Sequence, residues 1–460
     1  MRKSVLIMCF GVVACTVGPD YESLNIYPDE MIQSELKLQP EISERHLWYD
    51  FFADPQLKEL IDKGLSANVD VQTAILRLKQ ARITKAVNQT DYWPQINLTG
   101  GYQYEKASKN IGSAADSDYF SAGFDAAWEI DIWGKGRRQA EADEAVIKMQ
   151  KYDIENVKLV VTAEIIVNYV KLAQNLEKLH AAQKNVNLQK KLLDIVSVKY
   201  KNGLVNETDY NQARYLVNTT TAQIPEFSGQ VEQYKNALAV LLDTLPSHLN
   251  LNTNEIKILK AHPRFKDDAM YDLPADIIRR RPDVAAAEQN LIQQNALIGK
   301  AVAKLYPAVN LSALWGYAAK NNGDLFNSSS QTYSYTPTAV LPLLDWNKLQ
   351  NNIKLQKLLK EEAYLNYKST VTQAVNELKN AMTNYKNSIK INQQQAQALS
   401  AMRKNSELKL KQYESGLTDF TDVLLARQNV IAAENTYIDG QSSICQNIAA
   451  YYKAIGVFYQ

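Results

Sequence analysis

The sequence predicts a mainly α-helical chain that carries a small β portion of transmembrane-barrel type, with one structural unit written twice. Three observations lead there. First, distant segments match at one constant spacing: Tyr92-Trp93-Pro94 recurs as Leu305-Tyr306-Pro307, and 306 minus 93 is 213. Trp133-Gly134-Lys135 recurs as Trp346-Asn347-Lys348, and Tyr200 to Leu204 as Tyr413 to Leu417, at the same 213. Asp209, Ala213 and Arg214 likewise recur as Asp422, Ala426 and Arg427. Second, 137–200 and 349–413 contain neither proline nor glycine, so each reads as a continuous helix of roughly 95 Å. Third, DYFSAGFDAAWEIDIW at 118–133 alternates apolar and polar residues with a period of two.

The N-terminus comes first. Arg2 and Lys3 precede an apolar run too short to span a bilayer, followed by Val12-Val13-Ala14-Cys15. A small residue directly ahead of a cysteine is the pattern of a lipoprotein signal, 1–14, with cleavage before Cys15 and acylation of its thiol. Thr16 stands where an aspartate would favour retention at a bacterial inner membrane, which favours delivery to the outer one. Cys9 leaves with the signal, so of the three cysteines only Cys445 remains and no intramolecular disulfide is expected. An N-terminal segment, 15–55, leads into the first repeat, 56–243. A linker, 244–268, precedes the second repeat, 269–456, and a short tail, 457–460.

Each repeat has one grammar. A helix opens it, at 56–91 and again from Arg281-Pro282-Asp283, where proline suits a first helical turn. Tyr-Pro stops that helix, because the residue before proline is pushed out of the α region. Two strands follow, about 95–105 and 118–132, then 308–318 and 331–344. Ile96, Leu98, Tyr102 and Tyr104 share a face opposite Gln95, Asn97, Thr99 and Gln103. In 118–132 the apolar face carries Phe120, Phe124, Trp128 and Ile130, and the other carries Asp125, Glu129 and Asp131. Pro337 and Pro342 weigh against the fourth strand, since proline cannot complete a ladder. The polar loops inside each strand pair read as exposed hairpin tips. The long helix then runs to a Gly-Leu turn, and a return helix follows at 207–242 and 420–455, the first interrupted by Pro225.

Strands of this length with one polar and one aromatic-rich face match the transmembrane-barrel pattern of lipid outside and water inside. Asp125, Glu129 and Asp131 then face a lumen. Four strands cannot close, and an open edge in lipid strands its backbone groups. Closure demands several chains, two giving eight strands and three giving twelve, and the strand at 118–132 is expected to pair with the preceding hairpin strand and, across a subunit boundary, with a strand of another chain.

Composition excludes other classes. The 51 basic and 50 acidic residues nearly cancel, which gives no support to a nucleic-acid partner. Four scattered histidines lack ligand spacing, so no metal site is expected, and no Gly-x-Ser-x-Gly elbow marks a hydrolase. No catalytic residue is assigned. A lipid-anchored coiled-coil structural protein would explain the helices but not the two-faced strands.

LPADIIRRRPDVAAAEQNL at 273–291, QIPEFSGQVEQYKNALAVLL at 223–242, FDAAWEIDIWGKGRR at 124–138 and LPLLDWNK at 341–348 together resemble the outer-membrane efflux proteins, TolC-like channels, and within them the lipoprotein branch serving resistance-nodulation-division pumps. The resemblance implies a homotrimer with a twelve-stranded barrel continued by an α-helical periplasmic tunnel, in the outer membrane of a Gram-negative bacterium. It implies a periplasmic adaptor and an inner-membrane pump as partners, passive conduction of small molecules, and no cofactor beyond the lipid on Cys15. An exit duct for type I protein secretion is the alternative within the class. The family's periplasmic gate maps onto Asp422, Tyr413 and Asp209, with Asp419 a candidate second acidic ring. An arginine of that gate falls here on Thr418 and a second aspartate on Leu425, which departs from the family's salt-bridge lock. Asp209 and Asp419 also lie where helix N-caps are expected. The turns Gly203-Leu204 and Gly416-Leu417 are the implied adaptor contacts, and also ordinary C-cap chemistry.

Overall fold

The computed structural model describes residues 16–38, 52–106, 108, 110, 117–259, 273 and 276–456. Cys15, the signal and the 457–460 tail lie outside the described residues. The chain divides into two compact units, Met1–Leu24 with Leu76–Lys151 and Ala286–Ser369, and Asn25–Ile75 with Tyr152–Ala285 and Thr370–Gln460.

In chain order the elements are α1 (Asp29–Leu36), α2 (Pro55–Ala67), α3 (Val69–Thr90), β1 (Gln95–Glu105), β2 (Ser117–Ile130), α4 (Lys135–Lys201) and α5 (Glu207–Leu241). The second half supplies α6 (Ile277–Arg280), α7 (Pro282–Ala303), β3 (Ala308–Ala319), β4 (Gln331–Val340), α8 (Trp346–Glu414) and α9 (Phe420–Ile455). The duplication is visible in the ends: adding 213 to the bounds of α3 gives those of α7, and adding it to the start of α5 gives that of α9. Helices α4 and α8 hold 67 and 69 residues without a break, as expected where nothing removes a donor or frees the backbone. Helix α5 continues through Pro225.

In the first unit the four strands form one antiparallel sheet in the order β1-β2-β3-β4. Two expectations change here. The second neighbour of β2 is β3 of the same chain, with Phe124 opposite Trp315 and Glu129 opposite Asn310, so the open edges are β1 and β4. The fourth strand stops at Val340 rather than 344, and Pro337 sits within it opposite Leu311. Proline removes only its own donor, and the pairing of β4 with β3 continues on both sides of it. The register keeps both faces intact: Leu98, Phe124, Trp315 and Tyr333 follow one another across one face, and Thr99, Gly123, Gly316 and Thr332 across the other. A Cβ on Gly123 would lie 2.8 Å from the Cα of Gly316, so this cross-strand pair needs two glycines for its close approach.

In the second unit the opening helix expected at 56–91 is two helices. Asn68 breaks it, its Oδ1 accepting from the backbone N–H of Asp70 at 2.9 Å and of Val71 at 3.2 Å as the cap of α3. Its amide also donates to the Leu241 carbonyl at 3.0 Å, a tertiary bond that secures the break. Asp54 caps α2 with one carboxylate oxygen and accepts the Tyr169 hydroxyl at 3.0 Å on the other. Leu57, Ile61, Ile165 and Tyr169 are fully buried around that contact. Cys445 is a buried free thiol beside the Ile258 carbonyl of the linker, and burial pushes its pKa up to about 12.

Candidate functional site

Three places carry the residues singled out in the sequence. The polar face of the sheet is the first. Asp125 accepts the Asn97 amide at 3.2 Å from the neighbouring strand. Glu129 takes both oxygens to the Lys135 ammonium at 2.9 Å, across the strand-to-helix turn. Asp131 lies beyond the end of β2 and not in the strand; it accepts the Arg137 backbone N–H at 3.0 Å and so belongs to the start of α4. A cavity of about 570 Å³ opens on this face at the end of the sheet nearest the helices, lined among others by Tyr92, Gln95, Glu129, Lys135, Lys300 and Asn310.

The N-terminal segment is tied to the same junction. The Val17 N–H donates to the Trp133 carbonyl at 3.2 Å, and Thr16 lies against Gly134, whose φ of +81° no side chain adopts comfortably. The guanidinium of Arg138, almost wholly buried, holds the Val17 and Gly18 carbonyls and the Asp20 carboxylate. The residue that follows Cys15 is thereby held where strands become helices, beside the stacked rings of Trp133 and Tyr306.

The turns between long and return helices, in the second unit, are the third place. Gly203 and Gly416 adopt φ of +72° and +73° with nothing within 4 Å of an added Cβ, so glycine is needed there for backbone conformation alone. Each closes its helix with a Schellman-type bond, Leu204 N–H to Lys199 carbonyl at 2.9 Å and Leu417 N–H to Gln412 carbonyl at 2.8 Å. Leu204 and Leu417 stand 72% and 78% exposed at the tips. One apolar cluster of Leu192, Val196, Leu216, Phe420 and Val423 joins both helix pairs beneath these turns.

The four gate candidates gather around that cluster but are held differently. Asp422 accepts the Lys409 ammonium at 2.7 Å and the Thr418 hydroxyl at 2.5 Å, and these partners hold its carboxyl below the usual range. The sequence reading missed Lys409; its equivalent in the first repeat, 213 residues earlier, is the buried Val196. Thr418 thus serves the aspartate through its hydroxyl. Tyr413 packs on Phe420 with ring centroids 5.3 Å apart, and the Lys199 ammonium lies 4.4 Å from its ring centroid. Burial, and then the nearby charge of Asp209, raise the pKa of its phenol. Asn206 rather than Asp209 caps α5, and Asp419 occupies the cap position of α9 without a capping side-chain bond.

The arginine-rich signature resolves into a scaffold. Arg281 is buried, gripping Asp283 through two nitrogens at 2.8 and 3.0 Å, Glu377 at 2.7 Å and the Ala454 carbonyl at 2.8 Å. It joins the start of α7 to α8 and to the end of α9. Gly456, at φ +73°, leaves room for it.

A family model described as outer membrane efflux protein matches this chain twice, over residues 60–244 and 273–457. The chain belongs to the outer membrane efflux protein family. The two matches fall on the two repeats. Among relatives of this efflux protein, the probable outer membrane lipoprotein SilC of Salmonella typhimurium is 24% identical, with 98% of this chain and 97% of that one covered. The cation efflux system protein CusC of Escherichia coli K12 is also 24% identical, over 98% and 97%. In structure, the outer-membrane channel OprN superposes with a TM-score of 0.88 at 26% identity, covering 96% of this chain and 99% of that one. Membership places the efflux protein at the outer membrane, where a sheet with one polar and one aromatic face has the lipid and water it requires.

Proposed function

We propose that three copies of this chain form the outer-membrane channel of a tripartite efflux system, conducting small molecules passively from an inner-membrane pump and periplasmic adaptor to the exterior. The observation that carries this is the four-stranded sheet with two open edges, whose aromatic and polar faces suit lipid and lumen. Apolar stripes continue both edges. Leu76, Ile83 and Val87 are exposed on α3 ahead of β1, and Leu355, Leu358 and Leu365 are exposed on α8 after β4. Two different surfaces meeting head to tail generate a ring rather than a two-fold dimer. Cys15 supplies the lipid anchor, and its neighbours Thr16 and Val17 are held at the strand-to-helix junction, close to where an acyl chain would enter the inner leaflet.

Asp422, Asp419, Tyr413 and Asp209 form the closed end, and Gly203-Leu204 and Gly416-Leu417 present exposed leucines to the adaptor. Energy comes from the pump, and no reacting groups are required of this chain. Limited cross-linking of the purified protein should end in a ladder of three, with ion conductance in planar bilayers. A ladder ending at two, or no conductance, overturns the assignment.

A further inference from the structure

We propose that the cavity on the polar face of the sheet is a binding site for small organic anions, with the Lys300 ammonium as its anchor. Its volume of about 570 Å³ lies within the range of small-molecule sites. Its place on the conduit side follows from Gln95, Asn310, Ser312 and Thr338, which line it and all belong to the polar face. All of it lies within the first unit.

The charges around it are unequally satisfied. Glu129 is neutralised by Lys135, with both oxygens at 2.9 Å, and Asp131 by Arg137 at 3.5 Å and by the helix N–H. Lys300 is different. It comes from the last turn of α7, and among the described residues it makes no direct ion pair, although the charges of Asp143 and Asp91 reach it from further off. Its ammonium has three N–H donors, and one of them goes to the Gln139 side-chain oxygen at 2.5 Å. Gln139 in turn donates to the buried Asp143 carboxylate, which also takes the Asn88 amide, so Gln139 is fixed and cannot turn away. Burial, and then the charges of Lys304 and Lys135, hold the Lys300 pKa below the usual lysine range; a lysine placed at that cost favours an arriving anion.

The rest of the wall defines the ligand class. Tyr92 is held by its hydroxyl to the Gly136 carbonyl, and by its own carbonyl to the Trp128 indole N–H at 2.8 Å, giving a fixed aromatic surface. Asn310, Ser312 and Thr338 add neutral donors. A carboxylate attached to a flat apolar body satisfies all three: charge on Lys300, ring on Tyr92, polar edge on the strands. Asp91, also lining the cavity, is the one carboxylate there without an ion pair, and it opposes such a ligand.

The role in transport rests on the conduit reading above, so binding and conductance are measured separately. Full-length protein in detergent is titrated with dansylglycine, a fluorescent carboxylate, and with its neutral amide, following energy transfer from tryptophan. Wild type should bind dansylglycine saturably, Lys300→Gln about tenfold more weakly, and the amide should not distinguish the two. Asp91→Asn, an exposed change that removes no hydrogen bond of Lys300 and lifts the one opposing charge from both the lining and the ligand, should bind the carboxylate tighter, by about twofold to threefold. Equal affinity of the three proteins for dansylglycine, or no saturable binding by a preparation that forms conducting pores, overturns the site. A wild-type preparation that binds yet forms no pores supports the site and overturns the conduit.

Discussion

Replacing Arg281 by methionine tests the scaffold beneath the arginine-rich signature. Methionine keeps much of the apolar stem and removes the fork. The magnitude follows from where each partner is left. The Ala454 carbonyl, at the buried end of α9, loses a donor at 2.8 Å, worth about 1–3 kcal/mol for an orphaned buried acceptor. Asp283 and Glu377 are 31% and 58% exposed, so water takes over much of their solvation and each costs only about 0–1 kcal/mol. The sum is about 1–5 kcal/mol, reaching the cost of breaking a wholly buried pair only at its upper end. At roughly 2 °C per kcal/mol for a unit of this size, the melting temperature should fall by about 2–10 °C. Circular dichroism at 222 nm, scanned at one fixed rate, reads it through the helices. Arg281→Lys should fall between, because an ammonium restores charge but not the two-nitrogen grip on Asp283. A methionine variant melting within about 1 °C of wild type would refute the reasoning.

Two further outcomes are expected. Asp422→Ala should raise single-channel conductance, because it frees the gate of its Lys409 and Thr418 bonds. The carboxyl is held below its ordinary value, so the bond to Lys409 is present above that value and is lost only as pH falls through the depressed one; wild-type conductance should stay flat down to the ordinary carboxylate range and change below it, and a change centred near neutrality would sink the assignment. Cys15→Ser should abolish acylation while trimers still form, and radiolabelled palmitate retained by the variant would show that another residue is modified.

Much of the fold was legible because it depends on local chemistry. Proline and glycine punctuate the chain, so the long helices run where both are missing and stop within three residues of the expected ends. The duplication was legible as a spacing, and β1 and β3 inherit their two faces from a period of two. The break at Asn68 was not, because an asparagine amid helical residues acts as a cap only when tertiary contacts such as the Leu241 carbonyl favour it. Nor was Lys409, whose meeting with Asp422 depends on how the turn brings α8 against α9.

By itself the sequence determined where the long helices and β1 to β3 lie to within a few residues, that one unit repeats, and which strand face is apolar, since these follow from backbone propensities and spacing within a few residues. Tertiary structure alone decided that β2 pairs with β3 of its own chain, leaving β1 and β4 as the edges, that Arg281 ties three helices together, and that Lys300 meets the polar face of the sheet. Those contacts join residues far apart in sequence. Their free energy comes from burial and from satisfying charges and backbone groups in space, and no local pattern encodes it.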